Sequence, residues 1–276
     1  MSLRNTLKLL KFFPKYNIID TLKEKKMPRF FVKNEQIAED IIYIIGEDVK
    51  HIKSVLRKQN GDNIEICNQE TGKTYKCEIL EIKEQEIKNN IIEEITSEEN
   101  KLKVDIYQGL PKADKMELII QKSIELGANA IIPVEMKRCV VKLDQKSENK
   151  KIERWQKIAE SAAKQSGRNT IPEIRQVIKI EEISKLKDLY DLIIVCYENE
   201  KQNTLKNQLS QLKNQFTDKT ELHIAVVIGP EGGLEEKDVD FLKQNGAQAV
   251  TLGKRILRTE TVALNLLSII MYEFEN

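Results

Sequence analysis

From residue 103 onward the chain alternates short apolar stretches with amphipathic ones, and this alternation most constrains its fold. Residues 103–108, 130–134, 191–197, 222–228 and 247–252 read as strands. Residues 114–126, 148–165, 204–212, 235–245 and 259–274 read as helices. Strands separated by helices cannot pair through tight hairpins, so the pattern predicts an α/β unit with a mostly parallel, doubly wound sheet. The segment 222–228 is strongly apolar, as a strand buried on both faces should be. Asp114 sits at the N-cap of the first helix with Glu117 three residues on, the spacing of a capping box. Gly246 stops the helix that precedes it.

Upstream the period is different. Residues 30–32, 41–45, 63–67, 74–82 and 87–95 are short and β-branched or alternating, with Gly61-Asp62 and Thr71-Gly72 as turns. One helix is expected over 47–58, where Val49, Ile52 and Val55 keep helical spacing. Several short strands and one helix in this length suggest a small barrel. The polar stretch 96–101 (TSEENK) marks the boundary, giving a β domain over 27–98 and an α/β domain over 99–276.

Composition removes several function classes. The formal net charge is only +1, so no bulk attraction draws the chain to nucleic acid or to anionic membrane. The positive excess sits in residues 1–26, with seven basic residues against two acidic ones. An RNA-contacting arm, a frayed extension and an upstream start before Met27 are the readings open to that segment. Two histidines, His51 and His223, exclude a His-rich zinc site. The four cysteines show no C-x-x-C spacing and read as reduced, mostly buried thiols. No apolar run approaches the ~20 residues of a membrane helix, and 7–13 carries two lysines within its apolar stretch. A soluble cytoplasmic protein, without metal or membrane partner, is expected.

In a doubly wound sheet, ligands sit beyond the carboxyl ends of the strands. Two glycine-containing loops occupy that position. Ile228-Gly229-Pro230-Glu231-Gly232-Gly233 follows the most apolar strand, and Leu252-Gly253-Lys254-Arg255-Ile256-Leu257-Arg258-Thr259-Glu260-Thr261 leads into the last helix. Neither contains a P-loop or a G-x-G-x-x-G fingerprint. An adenosine-like ligand held by backbone groups, with Leu252, Ile256 and Leu257 as apolar walls, remains compatible with them.

These loops, with Met27-Pro28-Arg29-Phe30-Phe31, His51 to Arg57 (HIKSVLR), Lys112 to Gly127 (KADKMELIIQKSIELG) and Glu160 to Arg168 (ESAAKQSGR), carry a resemblance. From residue 27 to 276 the chain resembles the type E small-subunit ribosomal RNA uridine-N3 methyltransferases, of the SPOUT superfamily of knotted methyltransferases. That resemblance implies a PUA-like β-barrel, a SPOUT domain with a deep C-terminal trefoil knot, a homodimer, and S-adenosyl-L-methionine as methyl donor. It implies one uridine in the decoding region of 16S ribosomal RNA as target, within the 30S subunit. Family members begin near the Met-Pro-Arg segment, so residues 1–26 are additional, and Lys254 stands where proline is common.

On this reading the donor meets Ile228, Gly229, Gly232, Leu252 and Gly253 through their backbone, Ile256 and Leu257 through their side chains, and also Tyr197 and Glu231. Gly232→Ala is then expected to block its approach. Uridine N3 must lose a proton before it attacks, and a cation stabilises the imidate that forms. Arg258 is the candidate for that role. Phosphate contact and an ion pair with Glu231 or Glu260 are the other roles open to it. Glu260 is a candidate proton acceptor or a partner of free helix-start amides. Arg29, Arg57, Lys112, Lys115, Arg138 and Arg168 are candidate RNA contacts, with a helix C-terminus the alternative for the segment ending at Arg168. His51, His223 and Trp155 read as structural, the last two as core packing. The same fold serves two other functions: a non-catalytic RNA-binding assembly factor, and a methyltransferase acting on another RNA or on ribose 2′-oxygen.

Overall fold

A computed structural model describes residues 27–95, 101–215 and 221–275. The basic segment 1–26 and residues 96–100 of the expected boundary lie outside the described residues.

The first sheet has six strands: β1 (Arg29–Val32), β2 (Ile37–Ala38), β3 (Ile41–Ile45), β4 (Asn63–Asn68), β5 (Thr74–Ile82) and β6 (Glu86–Ile95). Their spatial order is β1-β4-β5-β6-β3-β2. β1 pairs with β4 in parallel and the other ladders are antiparallel. The hydrogen-bonded path is open, with β1 and β2 at its ends, rather than a ring of strands. A helical segment covers its apolar face, α1 (Glu47–Lys50) running into a π-helical turn at His51–Val55. The helix expected over 47–58 thus ends early, and Arg57 lies beyond it with a left-handed φ of 54°. Val49 and Ile52 join Phe30, Val32, Ile42, Ile44, Ile64 and Ile66 in one core.

Strand alternation splits β1 between two cores. Phe30 and Val32 point into the small core, whereas Phe31, with Cys67 of β4, packs into the core of the second domain. The first sheet is therefore docked on the second domain, not tethered to it.

The second sheet is parallel throughout: β7 (Leu102–Gly109), β8 (Ala130–Glu135), β9 (Glu173–Ile174), β10 (Ile178–Lys179), β11 (Leu192–Cys196), β12 (Leu222–Ile228) and β13 (Gln248–Val250). The order is β10-β8-β7-β12-β11-β13, with β9 also on β8. β12 is central, and all its residues but His223 are buried. Helices α2 (Lys115–Glu125), α3 (Gln145–Ser166), α4 (Leu205–Gln215), α5 (Glu236–Gln244) and α6 (Thr259–Glu275) accompany it. Ala263, Leu266, Leu267, Ile270 and Met271 bury one side of α6, which packs on α2, α4, β7 and β12.

Two local expectations change. Asp114 caps α2 without a side-chain hydrogen bond. The capping box is absent because Glu117 pairs with Arg154 at 2.8 Å instead. His223 is not packed in the core: it sits at the open start of β12, 38% exposed, with Nε2 3.1 Å from Glu221. Trp155, by contrast, is buried. Gly167 ends α3 in the left-handed conformation, so the segment before Arg168 is a helix C-terminus. All four cysteines are free thiols. Among the described residues no helix is long and apolar enough to cross a membrane.

Candidate active site

The carboxyl ends of β7, β12, β11 and β13 lie side by side, with Gln108 opposite Ile228 and Cys196 opposite Val250. The connection from β7 leads to β8 on one side, and that from β12 leads to β13 on the other. The crevice between β7 and β12 is thus a topological switch point, where open α/β sheets take their ligands. A cleft of about 520 Å³ lies next to it, beyond the carboxyl ends of β12, β11 and β13, within the roughly 300–1,000 Å³ usual for small-molecule sites. Its wall brings together Tyr197, Ile228, Gly229, Glu231, Gly232, Leu252, Gly253, Ile256 and Leu257, with Arg258 beside them.

The first loop is shaped by close backbone approach. A Cβ on Gly229 would lie 2.9 Å from the carbonyl carbon of Gly233 and 3.1 Å from the nitrogen of Leu234. Only glycine fits there without moving the chain. The second loop is fastened to the first by Thr259, whose hydroxyl donates to the Gly229 carbonyl at 2.7 Å. The same hydroxyl accepts from Nε2 of buried Gln108 at 2.8 Å. The end of β7, the first loop and the start of α6 therefore meet at one hydroxyl. Gly232 behaves differently from expectation. A Cβ there would meet the Cβ of Arg138 at 3.2 Å, so alanine would press on Arg138 rather than fill the cleft.

A charged network frames the opening. Lys115 lies 3.0 Å from Glu231 and 3.5 Å from Glu260. The Glu231 carboxylate also accepts from the backbone N–H of Lys112 at 3.0 Å. Burial pushes the Glu231 carboxyl up, but hydrogen bonds from its own loop, Lys115 and Lys112 outweigh burial and hold it below the ordinary carboxylate range. The bond to Glu231 in turn raises the Lys115 ammonium. Arg138 donates to the Gly232 carbonyl at 2.9 Å. Arg258 is exposed. It forms no ion pair with Glu231 or Glu260, because Lys115 takes both. Its carbonyl receives the N–H groups of Thr261 and Val262, which places it at the helix start.

The six candidate RNA contacts do not form one patch. Arg29 turns inward, pairs with Glu65 at 2.6 Å, and donates to the Gly167 carbonyl and Asn169. Arg168 donates to the carbonyls of Ile124 and Ala128 at the end of α2, and burial lowers its guanidinium to about 10. Both positions are those of structural braces. Lys115 stands in the cleft wall and Arg138 at its edge. Lys112 and Arg57 are exposed.

Sequence reasoning missed Gln108 and the bridging role of Lys115. The usable signal was positional. Gln108 and Lys115 flank the carboxyl end of β7, and the rule that selected the loops after β12 and β13 applies equally to that strand. Among the described residues no group of three or more His, Cys, Asp or Glu is arranged to hold a metal ion.

Residues 98–271 match the family model of an RNA methyltransferase domain, and residues 44–91 match that of an RNA methyltransferase PUA domain. The chain is 40% identical over 254 residues to ribosomal RNA small subunit methyltransferase E of Bacillus subtilis, covering 90% of this chain and 98% of that protein. It belongs to the type E small-subunit ribosomal RNA methyltransferase family. The family member of the same name from Mesomycoplasma hyopneumoniae is 32% identical, over 88% of this chain and 98% of that one. The crystal structure of the Neisseria gonorrhoeae family member, solved bound to S-adenosyl methionine, is 30% identical with a TM-score of 0.76. It spans 89% of this chain and 97% of its own.

Proposed function

We propose that this protein is an S-adenosylmethionine-dependent methyltransferase that modifies N3 of a uridine in the decoding region of 16S ribosomal RNA. It acts in the cytoplasm, as a homodimer, on the 30S subunit. The observation that carries the reading is the joining of two glycine loops into one cleft beyond the carboxyl ends of the parallel strands β12, β11 and β13. Support comes also from the Neisseria gonorrhoeae relative, whose structure holds that donor.

The residues present fit such a group. Backbone of the same loop crowds Gly229 so closely that no side chain fits, and Gly229 lines the cleft with its main chain. Leu252 and Leu257 supply apolar wall. When bound, the donor supplies an electrophilic methyl group on a sulfonium sulfur.

The chain's own residues must then prepare uridine. N3 carries a proton that has to leave before the nitrogen can attack. Arg258 offers an exposed guanidinium at the cleft, without an ion pair among the described residues and suited to the negative charge that develops on the ring. Glu260 lies two residues on, and its Oε2 accepts no hydrogen bond among the described residues while facing Lys115 at 3.5 Å. The N3 proton passes to the Glu260 carboxylate. Lys115 and the Lys112 N–H hold Glu231, which keeps the first loop in place as the base enters. The knotted path belongs to the same proposal. After β13, at one edge of the sheet, the chain returns through 251–258 and sets α6 against α2 and β7.

Arg258→Ala is expected to slow methyl transfer about a hundredfold at saturating donor, the usual cost of losing one such stabilising group. Donor affinity by calorimetry should stay unchanged. An undiminished rate removes Arg258 from the mechanism.

A further inference from the structure

Helix α3 spans 22 residues, and Trp155, Ala159, Ala162 and Ala163 fix its buried side. At 3.6 residues per turn, Lys146, Lys150, Arg154, Lys157 and Lys164 all fall in one sector on the opposite side. Lys146, Lys150, Arg154 and Lys157 are exposed. Arg154 holds Glu117, while Lys146, Lys150 and Lys157 have no ion pair among the described residues. Glu153 flanks the row on one side. In a chain of net charge +1, such a row makes a local positive field that the whole molecule lacks.

Its course through the fold gives it a direction. Near the start of α3, Glu148 accepts from the N–H of Val177, beside β10, which pairs with the carboxyl end of β8. That is the end of the sheet where the cleft lies. Midway, Arg154 meets Glu117, two residues from the cleft lysine Lys115. At the far end, Lys164 reaches Asp48 of the small domain at 2.9 Å. The row covers about 27 Å, at 1.5 Å per residue.

We propose that the outer face of α3 is a phosphate track, along which the RNA backbone runs between the small β domain and the methyl-transfer cleft. This rests on the RNA methyltransferase reading above. The track is made of long flexible cations on a rigid helix, so it positions the strand without reading its sequence. It leaves selection of the target uridine to the cleft.

The test is binding of unmodified 30S subunits at a series of potassium chloride concentrations, by wild type and by a Lys146→Gln, Lys150→Gln, Lys157→Gln variant. Each phosphate contact contributes roughly 0.7–0.9 to the slope of log affinity against log salt. The variant should lose about two units of slope and at least tenfold in affinity at low salt, with donor binding by calorimetry unchanged. The corresponding triple Arg variant should bind like wild type. Unchanged affinity and slope in a variant whose parent binds and methylates would overturn the track alone. So would an affinity loss with no change of slope, which would mean a contact other than phosphate. Failure of wild type to bind or methylate 30S would overturn the functional reading, and the track with it.

Discussion

Gly229 sets the shape of the cleft, because backbone stands on the side where a Cβ would go. Gly229→Ala forces the Gly233–Leu234 segment outward, at about 1–3 kcal/mol for an overpacked site. We expect donor affinity to fall at least tenfold while the protein still melts cooperatively, measured by calorimetric titration and thermal unfolding. Wild-type affinity in this variant would mean that the first loop does not hold the donor. Glu231 gives a test by pH. Its folded-state carboxyl is depressed, so its stabilising contacts are complete above the unfolded pKa of about 4.3. They disappear as pH falls through the lower folded value. The stability gap between wild type and Glu231→Gln should therefore be constant from pH 7 to 5 and close below pH 4, in denaturant titrations. A gap that closes near neutral pH would contradict the assignment.

At the scale of elements, length decides what a sequence displays. The strand expected over 222–228 and the helix expected over 259–274 recur as β12 and α6 with almost the same bounds. Each has enough turns or pleats for its period to be counted. β2, β9 and β10 have two residues each, too few to show alternation, and none was expected. The glycine loops were legible because steric crowding writes glycine directly into the chain. The Lys115 bridge was not: its partners arrive from the loop after β12 and the first turn of α6, and nothing local in α2 marks them. Arg29 and Arg168 illustrate the same limit. An arginine looks alike in sequence whether it meets a phosphate or a helix-end carbonyl, and only the fold turned these two inward.

For the whole molecule, the decisive feature is that the β domain is docked on the α/β domain through Phe31, Arg29 and the Asp48–Lys164 pair. Arg29→Ala leaves Glu65 and the Gly167 carbonyl without their shared partner, at about 2–3 kcal/mol for bonds to a charged group. Scanning calorimetry should then show two transitions where wild type shows one; a single unshifted transition would mean that the domains do not depend on this contact. Docking fixes the distance from the first sheet to the cleft. The central claim is that the cleft receives a uridine whose N3 takes the methyl group. The most direct measurement incubates the purified protein with unmodified 30S subunits and methyl-labelled S-adenosylmethionine, then maps the label by nuclease digestion and mass spectrometry. The account predicts a single labelled uridine in the decoding region of 16S RNA, modified at N3. Label on a ribose, on another RNA, or nowhere would contradict it.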